Sequence, residues 1–392
     1  MGVVRVQEGR LRRIAEGHPW VYRTEIEGVD GAPADGDLVE VRGPRGKLLG
    51  TGVYNAKSML TVRLLVHGGG DVDDALIESR VRKAVAYRSY FAEPGTDSAR
   101  LIFGEADLLP GVIADRFADV VVLQVLSLGM ERWTDLIART LVDLVEPRSL
   151  LLRNDEPIRL KEGLPLYRRA FFGPEPGETV LQENGLKYAI DPAGGQKTGY
   201  YLDQKDNHDY LRRFVEGKRV LDCLTYFGGF ALNAAAGGAS ETVAVDISDE
   251  AVARAKANAE RNGLSDRISF VTANAFDYMR EQGRAKARYD VVVLDPPAFT
   301  KSHSALEGAI RGYKEINLSG MRLLPEGGIL ATHSCSYHMP ERTFVETVLS
   351  AANDLGRAAR VIALRSQAPD HPVLAGYPES HYLKSLWLQM LD

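Results

Sequence analysis

The stretch that decides the fold is "KRVLDCLTYFGG", residues 218–229. Its apolar run "RVLDC" predicts a strand, and the paired glycines mark a sharp turn into the helical pattern "FALNAAAGG". The alternation continues downstream. "TVAVDI" is a strand, and "DEAVARAKANAERNGL" is a helix stopped by Asn-Gly. "ISFVTANA", "DVVVLDPP" and "GGILATHSCS" are further strands. Short apolar runs alternating with helices predict an α/β fold with a doubly wound, mostly parallel sheet.

Ligands of such sheets bind outside the carboxyl ends of the strands. The first turn offers Tyr226, Phe227, Gly228 and Gly229, where the backbone can approach a ligand closely. It lacks the third glycine of a dinucleotide fingerprint, and read alone it is only a tight strand-to-helix turn. Asp246 ends the second strand, followed by Ile247, and is placed to accept from ribose hydroxyls. Ser248 and Asp249 serve better as helix caps. Asn274 and Ala275 follow the third strand, and the Asn274 amide suits an adenine edge. Together these residues describe an adenosine site without a pyrophosphate cradle, which points to S-adenosylmethionine.

"DPPAFTKS" (295–302) follows the fourth strand. Pro296 and Pro297 stiffen the loop, so Asp295 can face a planar substrate and Phe299 can stack on a base. "HSCSYH" follows the fifth strand and carries Cys335 to the same edge. C5 of a pyrimidine is a poor nucleophile until a thiolate adds to C6, and an acid at N3 absorbs the charge. Cys335 and Asp295 form such a pair. Alone, Cys335 reads as a buried filler. Cys223, on the first strand, reads as structural. His333, Cys335 and His338 lack the paired-cysteine spacing of a zinc site, so no metal is expected.

Upstream, "DLVEVRG" and "KLLGTGVYN" flank the turn "GPRG" as a hairpin, and "MLTVRLLV" adds a strand. After "HGGGD" comes a helix over 75–91, then three strands, a helix over "MERWTDLIARTLVDLV" and the strand "SLLLRN". "LQENGLKYAID" (181–191) predicts a tight Asn-Gly hairpin. The expected units are 1–70, β-rich; 71–180, a helical linker plus an α+β unit; and 181–392, the α/β unit.

The net charge of −5 argues against whole-surface binding of nucleic acid. The first 70 residues carry ten Lys and Arg against eight Asp and Glu, with Arg10, Arg12 and Arg13 clustered as candidate RNA contacts. No apolar run is long enough for a membrane span, and the N-terminus lacks a secretory apolar core. Two distant cysteines imply no disulfide framework and suit a reducing, cytoplasmic setting.

"HPWVY" (18–22), "FGEADLLPGVIADRF" (103–117), "GQKTGYYLDQ" (195–204), "YFGGF" (226–230), "LDPPAFTKS" (294–302), "RGYKEIN" (311–317), "SCS" (334–336) and "DHPVLAGYPESHYLK" (370–384) occur in one order along the chain. In these motifs the chain resembles the RlmI-type methyltransferases, which make 5-methylcytosine in bacterial large-subunit (23S) rRNA. The resemblance implies an N-terminal PUA domain that binds RNA, a middle domain of two strands, a helix and two strands, and a C-terminal class I, Rossmann-like methyltransferase domain. It places Lys197, Thr198, Tyr200 and Asp203 at the border of the S-adenosylmethionine pocket, and leaves a homodimer open. The family often carries Asp where Asn274 stands and Thr where Phe227 stands. A bulky residue at 227 is expected to reshape the methionine end of the pocket. Guanine-modifying relatives lack the cysteine of "SCS".

These readings combine into an S-adenosylmethionine-dependent rRNA cytosine-C5 methyltransferase with Cys335 as nucleophile. The rivals are a guanine-N methyltransferase on the same fold and a non-catalytic RNA-binding ribosome-assembly factor. An NAD-dependent oxidoreductase is disfavoured by the glycine pattern.

Overall fold

The computed structural model describes residues 1–195, 198–300 and 305–391. Gly2–His67 forms a six-stranded sheet around a small core of alternating residues, among them Val4, Val6, Val39, Val41, Val62 and Leu64. Gly50 and Gly52 lie in the strand Leu48–Tyr54, whose neighbour Leu60–His67 passes very close. A side chain at either glycine would strike a backbone oxygen at 2.3 Å, so only glycine fits this strongly bent pair.

The middle sheet has five strands, in the order Tyr167–Phe172, Ser149–Asn154, Val120–Val125, Val112–Phe117, Ser98–Phe103. Val120–Val125 and Ser149–Asn154 run parallel, joined through the helix Thr134–Val145. Three strands therefore precede the helix and two follow it. Tyr167–Phe172 is the second strand after the helix that the resemblance implied but the residue pattern did not locate: "YRRAFF" shows no alternation because it is an edge strand with exposed arginines.

The expected hairpin forms from Thr179–Glu183 and Leu186–Ile190, with Asn184 and Gly185 both left-handed in its turn. The large sheet follows. Its strands are β1 (Arg219–Cys223), β2 (Glu241–Asp246), β3 (Ile268–Thr272), β4 (Val291–Leu294), β5 (Ile329–Ser334), β6 (Ala359–Arg365) and β7 (Lys384–Met390), ordered β3-β2-β1-β4-β5-β7-β6. The first five are parallel, and β7 runs antiparallel between β5 and β6. The helices are α1 (Lys205–Leu211), α2 (Gly229–Ala236), α3 (Asp249–Arg261), α4 (Ala275–Arg284), α5 (Leu306–Arg322) and α6 (Glu341–Asp354).

Alternate strand residues feed the two faces. Leu221, Val292 and Leu294 meet α4, α5 and α6, whereas Val220, Val291 and Val293 meet α1 and α2. The chain leaves β1 toward β2 and β3, then returns to the other side of β1 as β4. The crevice above β1 and β4 is thus the switch point where such sheets bind ligands.

Two buried clamps hold the units together. Asp370 accepts from Lys205 Nζ at 2.6 Å, from His371 Nδ1 at 2.9 Å and from the Arg100 amide at 3.0 Å, and so joins the middle sheet to α1. These partners hold its carboxyl far below the usual range despite burial. The second clamp joins "HPWVY" to "GYPESHY": His18 lies 3.0 Å from Glu379, and Trp20 packs on Tyr377 with ring centres 4.8 Å apart. Among the described residues no helix is long and apolar enough to cross a membrane.

Candidate active site

The loop after β1 is folded by two carboxylates. Asp222 Oδ2 accepts from Thr225 Oγ1 at 2.6 Å and from the Ala231 amide at 3.0 Å; Asp246 Oδ2 accepts from the Tyr226 amide at 3.0 Å. These bonds support three left-handed residues in close succession, Leu224, Tyr226 and Gly228. Gly229 opens α2 against the His208 ring, which a side chain there would strike at 2.4 Å. His208 is paired with Glu183 at 2.7 Å, and this partner raises its pKa in spite of burial.

Asp246 ends β2 next to Ile247, an aliphatic side chain left 68% exposed. An open apolar face beside a carboxylate suits an adenine ring and ribose hydroxyls. Asn274 differs from expectation. Its Oδ1 caps α4, accepting from the amides of Phe276 at 3.0 Å and Asp277 at 3.4 Å, so only its NH2 is left for a ligand. Ala275 is buried in the first turn of α4.

Phe227 also departs from its expected place. Its ring is buried behind Tyr226, stacked at 4.0 Å and 10°, with Tyr200 and the Arg254 guanidinium on other sides. It backs the loop and does not face the pocket. Tyr200 is buried as well, against Tyr188. Thr198 turns away from β1 and donates to Asp115 Oδ2 at 2.5 Å, tying its segment to the middle sheet. Lys197 lies outside the described residues.

Asp203 and Asp295 do come together. Asp295 ends β4, where burial first and Asp203 second push its carboxyl up to about 7, with Asp222 adding to the effect. His208 and Gln204 oppose the rise. Three carboxyl groups thus share one buried region, and Asp222 Oδ1 has no hydrogen-bond partner among the described residues. Such a field repels a pyrophosphate and suits a cation, as the sulfonium of S-adenosylmethionine is. The residues present therefore fit that cofactor.

The cysteine is held from below and from the side. In the sheet register Leu294 lies opposite Thr332, so Asp295 follows at the level of His333 and Cys335 two residues on. Cys335 is partly exposed. The serines on either side of it share one partner. Ser334 Oγ donates to Tyr313 Oη at 2.8 Å, and Ser336 Oγ lies 3.1 Å from the same oxygen. From β7, Lys384 Nζ donates to the carbonyls of Ser336 at 2.6 Å and Tyr382 at 2.8 Å. Burial draws this ammonium down to about 8, and an ionised Cys335 works against the fall, an attraction that is mutual. Burial, then Asp203, Cys335 and Asp295, raise the Tyr201 hydroxyl to about 12.

Sequence reading missed Tyr313, Lys384, Tyr201 and His208. The "RGYKEIN" motif contained Tyr313, but nothing local links it to two serines on a strand. Phe299 was expected as a stacking surface; its ring packs on Tyr313 at 4.7 Å and on Gly312 of α5. Pro296 is buried and Pro297 exposed. His333 is fully buried against Phe230 and Trp387, held neutral by burial, with neither ring nitrogen partnered among the described residues. No group of three or more potential metal ligands occurs among those residues. At the N-terminus Arg10 is exposed, Arg12 pairs with Glu16, and Arg13 is committed to Glu25 and the Trp20 carbonyl.

Residues 165–363 match the family model of S-adenosylmethionine-dependent methyltransferases, and residues 4–67 match that of the PUA-like domain. The chain is 41% identical over 384 residues to a ribosomal RNA large subunit methyltransferase I of Aeromonas hydrophila, covering 97% of each chain. It is 40% identical over 381 residues to the protein of that name in Klebsiella pneumoniae, covering 96% of this chain and 95% of that one. Its fold is similar to that of SMU.776, solved in complex with SAH, at TM-score 0.86 and 21% identity over 99% of this chain and 100% of the other.

Proposed function

The chain belongs to the ribosomal RNA large subunit methyltransferase I family of S-adenosylmethionine-dependent enzymes, and on that premise we propose that it methylates C5 of a cytosine in large-subunit rRNA through an adduct on Cys335. The observation that carries this reading is the pairing of a partly exposed thiol at the end of β5 with a protonatable carboxyl at the end of β4. Tyr201 feels both.

The residues divide the work as follows. The Lys384 ammonium favours the thiolate of Cys335, which adds to C6 of the base. The C5–C6 π pair shifts to C4–C5 and the C4–N3 pair to N3, where the protonated Asp295 carboxyl gives its proton, leaving C5 nucleophilic. S-adenosylmethionine, when bound, supplies the methyl group that C5 accepts. Loss of the C5 proton then re-forms the double bond and expels the Cys335 sulfur. The loop at Pro296 and Pro297 has no second cysteine to assist the release. The Ser334–Tyr313–Ser336 link fixes the backbone on both sides of the nucleophile.

In this reading the PUA-like unit holds rRNA, with exposed Arg10 and Arg12 as backbone contacts. The candidate cofactor contacts are Tyr226, Gly228, Gly229, Asp246, Ile247, the Asn274 amide and Asp203. The experiment is to map 5-methylcytosine on large-subunit rRNA from cells with and without the protein. One cytosine losing its methyl group supports the reading. An unchanged cytosine map with a missing methylated purine favours the guanine reading.

A further inference from the structure

A cavity of about 340 Å³ opens between the middle sheet and the segment 198–203, and of the residues given a role above only Asp203, a candidate cofactor contact, lines it. That volume falls in the range of small-molecule pockets, roughly 300–1,000 Å³. On one side lies the strand Val120–Val125. Its face turned to the C-terminal unit reads Val120, Val122, Gln124: two apolar residues packed in a core cluster, then an amide. Gln124 is 3% exposed, lines the cavity, and its Nε2 has no hydrogen-bond partner among the described residues. A buried donor left without an acceptor is costly, so the amide is poised for one that arrives from outside.

Tyr201 and Tyr382 line it as well. Lys384 donates to the carbonyls of both Tyr382 and Ser336, the residue after Cys335, so the cavity adjoins the reactive centre. Neither Cys335 nor Asp295 lines it, so the base under attack sits elsewhere. The charge of the lining is wrong for a phosphate: Arg100 is neutralised by Asp115 at 2.5 Å, and Asp203 and Glu156 are acidic. Aromatic residues, an unpaired amide donor and, among the described residues, no spare cation describe a site for the edge and face of a nucleobase.

We propose that this cavity takes an unstacked nucleobase next to the methylated one, bonded at its edge by Gln124 and packed against Tyr201 and Tyr382. The inference rests on the substrate being RNA but not on which base is methylated. It gives the middle sheet a role in sequence recognition.

The test uses the full-length protein, tritium-labelled S-adenosylmethionine and large-subunit rRNA from cells lacking the protein. Gln124→Met keeps the shape and removes the donor. Ile158→Trp acts at a partly exposed position of the lining, where a larger side chain is tolerated. The expected result is a KM for rRNA raised about tenfold in each, the size of one lost stacked base, with S-adenosylmethionine affinity and melting temperature unchanged. In wild type, an abasic nucleotide on one side of the methylated position gives the same loss, and Gln124→Met adds nothing further to it. Wild-type KM in both variants, or full additivity of Gln124→Met with abasic sites on both sides, overturns the proposal. Mapping the methylated base decides the cytosine reading separately.

Discussion

The ammonium of Lys384 donates to the carbonyl of Ser336 at 2.6 Å, which sets a buried cation one residue past Cys335. β7 reaches that place because it pairs antiparallel with β5, Lys384 standing opposite Ser334. A cation so placed favours a thiolate over a thiol. Lys384→Met is therefore expected to slow methyl transfer by about 10²-fold at pH 7. The loss should shrink as pH rises and the thiolate forms unaided. Rate profiles from pH 6 to 9 check this; a loss independent of pH assigns Lys384 a purely structural role.

Asp295 titrates in the opposite sense. Its carboxyl is raised to about 7 by burial and by Asp203. The proton it donates to N3 is present below that pH and lost above it. With both substrates below saturation, kcat/KM should fall on the alkaline side with an apparent pKa near 7, and Asp295→Asn should lose that limb along with most of its activity. The stability linkage has a definite sign as well. A carboxyl whose folded pKa exceeds its unfolded value makes the fold less stable as pH rises between the two. Asp295→Asn should thus melt a few degrees higher than wild type at pH 8 and differ less at pH 4.

Tyr313→Phe removes the one oxygen that Ser334 and Ser336 share. The Ser336 hydroxyl then loses its partner and that of Ser334 keeps only the Ser336 amide, 3.4 Å away, a cost of about 1–3 kcal/mol. The stronger effect is expected on kcat, since the backbone carrying Cys335 loses its support, while S-adenosylmethionine binding measured by calorimetry stays as in wild type.

Asp370→Ala strands Lys205 and His371 without their anion. Breaking a buried pair from one side typically costs about 3–5 kcal/mol. Denaturant unfolding should show a loss of that order, with the contact between the middle sheet and α1 the first to open in hydrogen exchange.

Much of this arrangement is written locally in the chain. β1 to β5 are short apolar runs, each followed by its functional residues, so the ends of β4 and β5 already brought Asp295 and Cys335 to one edge. What escaped depends on distance and direction. Lys384 comes from a strand 49 residues beyond Cys335 that crosses back antiparallel, and Tyr313 from a helix whose apolar face reads as ordinary core. The side chains of Thr198, Phe227, Asn274, Phe299 and Arg13 took other partners than expected: Asp115, Tyr226, the start of α4, Tyr313 and Glu25. Spacing names the residues near a site, but the packing of the middle sheet and the loop after β1 decides where each points.

The central claim is the covalent role of Cys335. The most direct measurement incubates the protein and S-adenosylmethionine with large-subunit rRNA carrying 5-fluorocytosine, then looks for protein that stays on RNA through denaturing electrophoresis. Fluorine at C5 cannot leave as a proton does, so the Cys335–C6 bond should persist in wild type and be absent in Cys335→Ala, which should also fail to methylate ordinary rRNA. No adduct from wild type, together with undiminished methylation by Cys335→Ala, would contradict the account.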